Sequence, residues 1–385
     1  MNEDRVKNVL LIFPSSLSLN RKTKLIDVVK KKLLLSNVKV NKITIEEGCI
    51  AFEVTDVIEA AAVTVELFGI CQVAVAKCIP NGFTDVVATI VKTGKQIILP
   101  EEKFFIRVRT SSKAKISYIG RDVEFASSGN LIAELSPIAS KPAKNEYEAN
   151  KVILSYIGKH SAYVCLQIDT ALGGIPSGSQ KEKLVCGIHN ILSSLSCMLA
   201  VKCGFIPDFL IMYTNEDDLK ENAKLFGFIA PKMSVKKYRI RLIHIDLPDK
   251  YNHHLKLMLQ EGISIRILTL LPGKGGLVIP LSAAIHPPWF VESTMKKIVS
   301  TGKMPWMPLM LLTDGIYHDA KSVGLEDKIT SIDDLINTNM IMFKKQEYKK
   351  YERKIDMLSK AAVKNMKTIS LKVGSNYLHD IIDSI

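Results

Sequence analysis

The stretch at residues 173–181 reads Gly-Gly-Ile-Pro-Ser-Gly-Ser-Gln-Lys. It separates two parts of the chain that differ in how their apolar residues are spaced. Three glycines and a proline among small polar residues are typical of a linker, because both residue types interrupt regular elements. After this stretch, short apolar runs alternate with segments of helical spacing. That alternation predicts a mostly parallel sheet with helices on both faces.

The predicted strands after the linker are short apolar runs at 184–188, 209–213, 238–245, 263–271, 277–279 and 309–312. Helices are predicted at 193–202 and 219–226 from the spacing of their apolar residues. Before the linker, strands at 9–13, 50–54, 71–76 and 104–108 alternate with amphipathic helices, and a hairpin joins 152–157 to 161–168. This first part therefore reads as two small α+β units.

The chain has 385 residues with 52 Lys and Arg against 39 Asp and Glu, a formal net charge of +13. The excess is clustered: residues 21–42 hold eight basic residues and one acid, and residues 103–121 hold six and none. Arg107 and Arg109 alternate along one strand, so they share a face. A polyanion is the partner that such clusters favour, and the open alternative is a solvated basic surface.

The apolar runs are too short to span a membrane, and the first residues, Met-Asn-Glu-Asp-Arg, lack the pattern of a signal peptide. We therefore expect a cytoplasmic protein that does not associate with membranes. The segment from Phe343 is rich in Lys and Arg around an apolar stripe. It predicts a basic amphipathic helix that assists RNA binding without being part of the fold.

The spacing of reactive residues indicates neither a metal site nor a catalytic set. None of the seven cysteines forms a Cys-x-x-Cys pair, and none follows Cys203. The eight histidines show no His-Glu-x-x-His spacing. We therefore assign no metal ligand and no catalytic residue.

Several motifs occur in an order that resembles the tRNA 4-thiouridine synthetase family, the tRNA sulfurtransferases of the thiamine-biosynthesis type. They are Asn-Arg at 20–21, Leu-Phe-Gly-Ile at 67–70 before an alternating strand, the basic strand 104–109, the hairpin ending at Ile168, the linker 173–180, and Pro-Trp-Met-Pro-Leu at 305–309 followed by Asp314. The resemblance covers residues 7 to about 325. Met307 stands where the family has an arginine.

The resemblance implies an α/β protein in which ferredoxin-like α+β and THUMP domains precede a Rossmann-like parallel sheet of the PP-loop ATP-pyrophosphatase type. The implied parts are a ferredoxin-like domain (1–70), a THUMP RNA-binding domain (71–169), a linker (170–182), the pyrophosphatase-like domain (183–338) and the basic C-terminal helical segment (339–385). The residues expected to bind RNA are Arg21, Lys22, Lys24, Lys103, Arg107, Arg109, Lys113, Lys115, Arg121, Lys349, Lys350 and Arg353.

The sequence departs from the family at the nucleotide loop. There the family has Ser-Gly-Gly-x-Asp-Ser, whose glycines let backbone amides approach the ATP phosphates. The aligned residues here are Ile188, His189, Asn190, Ile191, Leu192 and Ser193. Only the serine matches, and the family's downstream catalytic cysteine has no counterpart after Cys203. The loop is therefore expected to be degenerate.

Three functions remain open. The favoured one is a tRNA-binding THUMP protein of tRNA modification, with a decayed ATP site and no cofactor. The alternative is an active ATP-dependent tRNA sulfurtransferase that makes 4-thiouridine with ATP, Mg²⁺ and an external sulfur donor. The third is a protein-docking subunit of an RNA-modification complex. Whether the chain is an enzyme stays open, as do a sulfur-carrier partner and a homodimer.

Overall fold

A computed structural model describes residues 6–248, 250–273, 275–338, 340–372 and 377–383. The chain divides into two compact units, one made of residues up to 66 together with 70–173, and the other of residues 67–69 together with 174 onward. Residues 1–5, on which part of the signal-peptide argument depends, lie outside the described residues. So do residues 339, 373–376 and 384–385 of the predicted C-terminal segment.

The first unit is built on one eight-stranded sheet with the order β2-β3-β1-β4-β8-β7-β5-β6. Its strands are β1 (Lys7–Pro14), β2 (Val40–Ile45), β3 (Ile50–Val54), β4 (Ile70–Pro80), β5 (Lys103–Thr110), β6 (Lys141–Pro142), β7 (Lys151–Ile157) and β8 (Ser161–Gly173). Its α-helices are α1 (Lys22–Leu35), α2 (Val57–Thr64), α3 (Phe83–Ile97) and α4 (Gly120–Leu135). The predicted strands and the hairpin are present, and β2 and the short β6 are additional strands.

Alternation along the strands gives this sheet two apolar faces. Ile106, Ile153 and Val164 pack with residues of α3 and α4 on one face. Leu11 and Tyr156 belong to a second buried cluster, which lies on the opposite face because successive side chains of a strand point to opposite sides. The long strand β4 pairs with β1 and with β8, so the two predicted α+β segments contribute to a single sheet. Their assignment as separate domains stays a prediction.

The second unit is built on a six-stranded sheet with the order β13-β12-β9-β10-β11-β14. Its strands are β9 (Leu184–Ile188), β10 (Asp208–Tyr213), β11 (Lys237–His244), β12 (Gly276–Val278), β13 (Met304–Trp306) and β14 (Lys367–Lys372). Its α-helices are α5 (Ile191–Lys202), α6 (Glu216–Ile229), α7 (His253–Leu270), α8 (Pro288–Ser300), α9 (Asp314–Ser322), α10 (Ile329–Asn337), α11 (Lys345–Lys349), α12 (Glu352–Lys364) and α13 (Tyr377–Ile382).

Strands β9 to β13 pair in parallel, and β14 pairs antiparallel to β11. The predicted α/β class, with a parallel sheet following an α+β part, is therefore confirmed. Helices α5 and α6 contact each other and α7 contacts α12, which brings the C-terminal segment against the central helix of this unit.

Two predicted strands are wrong. Residues 263–271 lie mainly in helix α7, although Ile263, Ile265 and Ile267 alternate with polar residues as in a strand. The helix is buried on most of its surface, so its sequence lacks the one-sided apolar pattern that identifies a surface helix. Residues 309–312 are not a strand, and the two remaining positions in the six-stranded sheet are filled by β13 and β14.

The C-terminal segment is part of the fold, so the expectation that it lies outside is wrong. Its last strand, β14, forms six register pairs with β11 from Lys237↔Lys372 to Leu242↔Lys367. The side chains of Tyr348, Ile355 and Ala362 are buried, as the apolar stripe predicts. Of the described helices, none has the length and apolar character needed to cross a membrane.

Candidate functional site

The loop aligned above with the family's nucleotide loop lies where β9 ends and α5 begins, at the carboxyl edge of the parallel strands. This edge is where ligands of open α/β sheets bind. The loop consists of His189 and Asn190, between Ile188 at the end of β9 and Ile191 at the start of α5. The first turn of α5 is therefore positioned as the helix N-terminus that would face a phosphate.

Three backbone amides at or just before this helix N-terminus, those of His189, Asn190 and Ser193, are hydrogen-bonded within the loop. The Ser193 hydroxyl accepts from the N–H groups of His189 and Asn190, each at 2.9 Å, and donates to the Asn190 carbonyl at 2.8 Å. The Asn190 side chain in turn accepts from the Ser193 N–H at 2.8 Å. Three amides of the loop are thus satisfied by a capping box of Asn190 and Ser193.

The side chain of His189 lies in the interior of the second unit. His189 is 2% exposed, and its Nε2 is 2.9 Å from Oε2 of Glu261, which is 4% exposed. Asn190 adds a longer contact of 3.5 Å to the same carboxylate oxygen. Glu261 belongs to α7, so this buried pair ties the loop to a helix 72 residues further along the chain.

Charges around Glu261 keep its carboxyl ionised despite burial. Burial alone would raise the pKa of Glu261, but the charges of His189 and His286 and the hydrogen bond from His189 outweigh it, so the pKa is lowered. His286 is also buried, and burial lowers its pKa. Nδ1 of His189 and Oε1 of Glu261 have no hydrogen-bond partner among the described residues. The cluster formed by His189, Glu261 and His286 is called the buried triad below.

The loop differs from a glycine-rich phosphate-binding loop in two respects. A phosphate needs free amides and close backbone approach, whereas here three amides are occupied and His189 and Asn190 carry side chains. Leu192, where the family has a carboxylate, is 2% exposed. Among the described residues, no group of three or more His, Cys, Asp and Glu side chains is arranged to hold a metal ion.

The predicted RNA-binding arginines lie together on the first unit. Arg107 and Arg109 are exposed on β5, opposite Leu154 and Tyr156 of β7 in the parallel register. The Arg109 guanidinium lies 5.7 Å from the centre of the Phe13 ring, a contact that orients it. Neither arginine forms an ion pair with a carboxylate of the described residues, so both charges are available to an anion.

The other predicted basic residues differ in their exposure. Those that are exposed are Lys103, Lys113, Lys115 and Arg121 on the first unit and Lys349, Lys350 and Arg353 on the second. Arg21, Lys22 and Lys24 are half-buried. The ammonium of Lys22 donates to the carbonyls of Glu46 and Glu47, which ties it to the turn between β2 and β3.

The sequence does not indicate the acids that fix two regions, the loop after β5 and the loop between β9 and α5. Glu47 accepts hydrogen bonds from the Ser111 and Ser112 hydroxyls at 2.9 Å and from the Ser112 N–H at 2.7 Å. These bonds lower the pKa of Glu47 and fix the loop that carries Lys113. Glu261 and His286 were also missed, because nothing in their local sequence indicates their contact with the loop.

No family model matches the sequence. The chain is 27% identical over 178 residues to a probable tRNA sulfurtransferase of Methanosarcina mazei, a match that covers 46% of this chain and 43% of the relative. The chain thus matches less than half of that relative's length.

Two solved structures share the fold. A 4-thiouridine synthetase in complex with RNA and bound ATP has a TM-score of 0.66 at 14% identity, covering 95% of this chain and all of that chain. PH1313 of Pyrococcus horikoshii has a TM-score of 0.62 at 18% identity, covering 83% of this chain and all of that chain. Together with the sequence match, these similarities support the tRNA 4-thiouridine synthetase family as the one that the chain resembles.

Proposed function

We propose that this chain, a relative of the tRNA 4-thiouridine synthetases, binds tRNA in a tRNA-modification process and that its nucleotide loop does not bind ATP. The observation that carries the proposal is that the hydrogen-bonding groups of the loop between β9 and α5 are already bonded within the protein. The capping box uses three of its amides, and the pair of His189 and Glu261 holds its side chains inside the unit.

Opening this loop for a nucleotide would be costly. Moving His189 away would leave the ionised Glu261 buried without its partner, and breaking such a pair costs about 3–5 kcal/mol. Losing the helix cap of Asn190 adds about 1 kcal/mol. A phosphate would have to compensate for both losses before it contributed any net affinity.

The tRNA part of the proposal depends on the exposed basic residues of β5 and of the loop after it. Arg107, Arg109, Lys113 and Lys115 project from one short stretch of the first unit. Arginine and lysine contacts to phosphates dominate RNA affinity and are not sequence-specific. The 4-thiouridine synthetase that shares this fold is in complex with RNA, which supports the same class of partner here.

The alternative is an active ATP-dependent tRNA sulfurtransferase. The fold shared with an ATP-bound synthetase favours it, and it would require ATP with Mg²⁺ and a sulfur-carrier protein as donor. In the docking-subunit alternative, the second unit would instead contact a protein of an RNA-modification complex. Dimerisation and a cytoplasmic location are compatible with all three functions.

The test is incubation of the purified protein with unmodified tRNA, ATP, Mg²⁺ and a sulfide donor, followed by filter binding and nucleoside mass spectrometry. The proposal predicts that tRNA is retained, that added ATP leaves its affinity unchanged, and that no 4-thiouridine forms. Formation of 4-thiouridine would establish the sulfurtransferase alternative. Absence of tRNA binding would overturn the RNA part of the proposal.

A further inference from the structure

Helices α7, α8, α11 and α12 of the second unit line a partly open cavity of about 260 Å³. Its apolar walls are Ile265, Phe290, Tyr348 and Ile355. Pockets for drug-sized ligands measure roughly 300–1,000 Å³, so an occupant would be smaller, on the order of a single substituted aromatic ring. The rings of Phe290 and Tyr348 pack edge to face at 5.3 Å, which leaves an aromatic wall for that ring.

A largely buried tyrosine, Tyr348, lies in the wall of this cavity. Tyr348 is 6% exposed. Its hydroxyl oxygen lies so close to Gly262 that a Cβ at that position would clash with it. None of the described residues hydrogen-bonds to this hydroxyl, so it can donate to an acceptor on a ligand.

The rim of the cavity carries charges of both signs. Arg266 donates from Nε and Nη2 to Oδ1 of Asp356 at 2.8 and 2.6 Å, so it is committed to that carboxylate. Lys297 and Glu352 are held more loosely, at 3.4 Å, with about half of each side chain exposed. An exposed pair of this kind contributes only about 0–1 kcal/mol, so a ligand can replace it at little cost.

We propose that this cavity binds a small aromatic zwitterion of the aromatic amino-acid type. Its carboxylate replaces Glu352 at Lys297, and its ammonium replaces Lys297 at Glu352. Its ring lies against Phe290 and Tyr348, and an oxygen on that ring accepts a hydrogen bond from the Tyr348 hydroxyl. A zwitterion leaves neither rim charge unpaired. A simple anion would leave Glu352 without a partner, and a phosphate would face both Glu352 and Asp356.

The direction of the Tyr348 hydrogen bond follows from its surroundings. Burial raises the pKa of the Tyr348 phenol, so the hydroxyl stays protonated at neutral pH and donates. The phenolic oxygen of a ligand such as L-tyrosine can accept that bond, whereas the ring of L-phenylalanine offers no acceptor.

The test is ligand-observed NMR on the full chain with four probes at millimolar concentration. They are L-tyrosine, L-phenylalanine, tyramine, which lacks the carboxylate, and 4-hydroxyphenylpropionate, which lacks the ammonium. We expect saturable binding of L-tyrosine, with both single-charge probes weaker by roughly fivefold, as for the loss of about 1 kcal/mol. Absence of saturable L-tyrosine binding, or equal binding of the single-charge probes, would overturn the proposal.

Two variants locate the site. Tyr348→Phe keeps the ring and should lower affinity for L-tyrosine while leaving that for L-phenylalanine unchanged. Lys297→Gln should weaken both amino acids, and its neighbour Lys296→Gln, which removes an exposed charge paired with Glu292, serves as the matched control. Equal effects of Lys297→Gln and Lys296→Gln would show that binding occurs elsewhere. Because tRNA binding is measured separately, these results do not depend on the proposed function.

Discussion

At the residue scale, the proposed function depends on His189. Its position in the sequence shows that a side chain stands where the related family has a glycine, and that much can be predicted without a structure. Its partner could not be predicted, because Glu261 lies in α7, and the residues that follow it at 263–271 have the sequence pattern of a strand. The contact follows from the way β9 and α7 pack together in the unit.

Replacing His189 with alanine should destabilise the second unit by about 3–5 kcal/mol, because the ionised Glu261 is left buried without its partner. The exposed His318→Ala in the same unit is the matched control and should change stability by at most about 0.5 kcal/mol. Denaturant unfolding measures both. A loss below about 1 kcal/mol in His189→Ala would show that the pair does not hold the loop.

Acidification should also destabilise the protein through His286 and Glu261. The pKa of His286 is lower in the folded chain than its ordinary value near 6.5, so just below that pH the unfolded state binds more protons and stability falls. The lowered pKa of Glu261 continues the loss below about pH 4.5. Thermal unfolding from pH 7.5 to 4 should show a shallower acid loss in His286→Asn than in the parent, and parallel curves would contradict this origin.

At the element scale, the sequence identifies most amphipathic helices and alternating strands, and it fails where an element is buried on most sides. Helix α7 is the example, because its buried surface includes Glu261, Ser264 and Thr269 as well as isoleucines. The strand β14 could not be predicted because it has too few apolar residues, whereas α7 is buried on most sides. Its pattern Lys-Thr-Ile-Ser-Leu-Lys at 367–372 is that of an edge strand with few apolar residues, inside a segment dominated by a basic helix.

The role of β14 gives a direct prediction about the C-terminal segment. Leu371 is 3% exposed and pairs with Tyr238 of β11. Leu371→Ala should therefore cost about 2–5 kcal/mol, as for other buried leucines. The exposed neighbour Ser370→Ala should have an effect of at most about 0.5 kcal/mol. If thermal unfolding shows the two variants to be alike, the strand does not stabilise the unit.

At the scale of the whole molecule, the net charge of +13 predicts a polyanionic partner, and the structure shows which of the basic residues are exposed. The clustering of Arg107 and Arg109 could be predicted from strand alternation alone. The role of Lys22 could not, because its bonds to the carbonyls of Glu46 and Glu47 depend on how the β2–β3 turn meets α1.

Changing Arg107 and Arg109 together to alanine should weaken tRNA binding. It should also reduce the slope of log affinity against log salt by about 0.7–0.9 for each phosphate that the two arginines neutralise in the parent protein. The control is the double variant Lys220→Ala with Lys296→Ala, which removes the same charge from helices where both lysines pair with acids on their own helix. If filter binding gives the same salt slope for both double variants, tRNA does not bind to this face of β5.

The central claim is that the loop from Ile188 to Ser193 does not bind a nucleotide, and calorimetric titration of the intact protein with ATP and Mg²⁺ tests it most directly. The same preparation must bind tRNA, which shows that it is folded. We expect no saturable heat at millimolar nucleotide, with or without tRNA. Saturable binding of ATP that is lost when Ser193 is replaced by alanine would contradict the claim. It would show that this loop is a nucleotide-binding site.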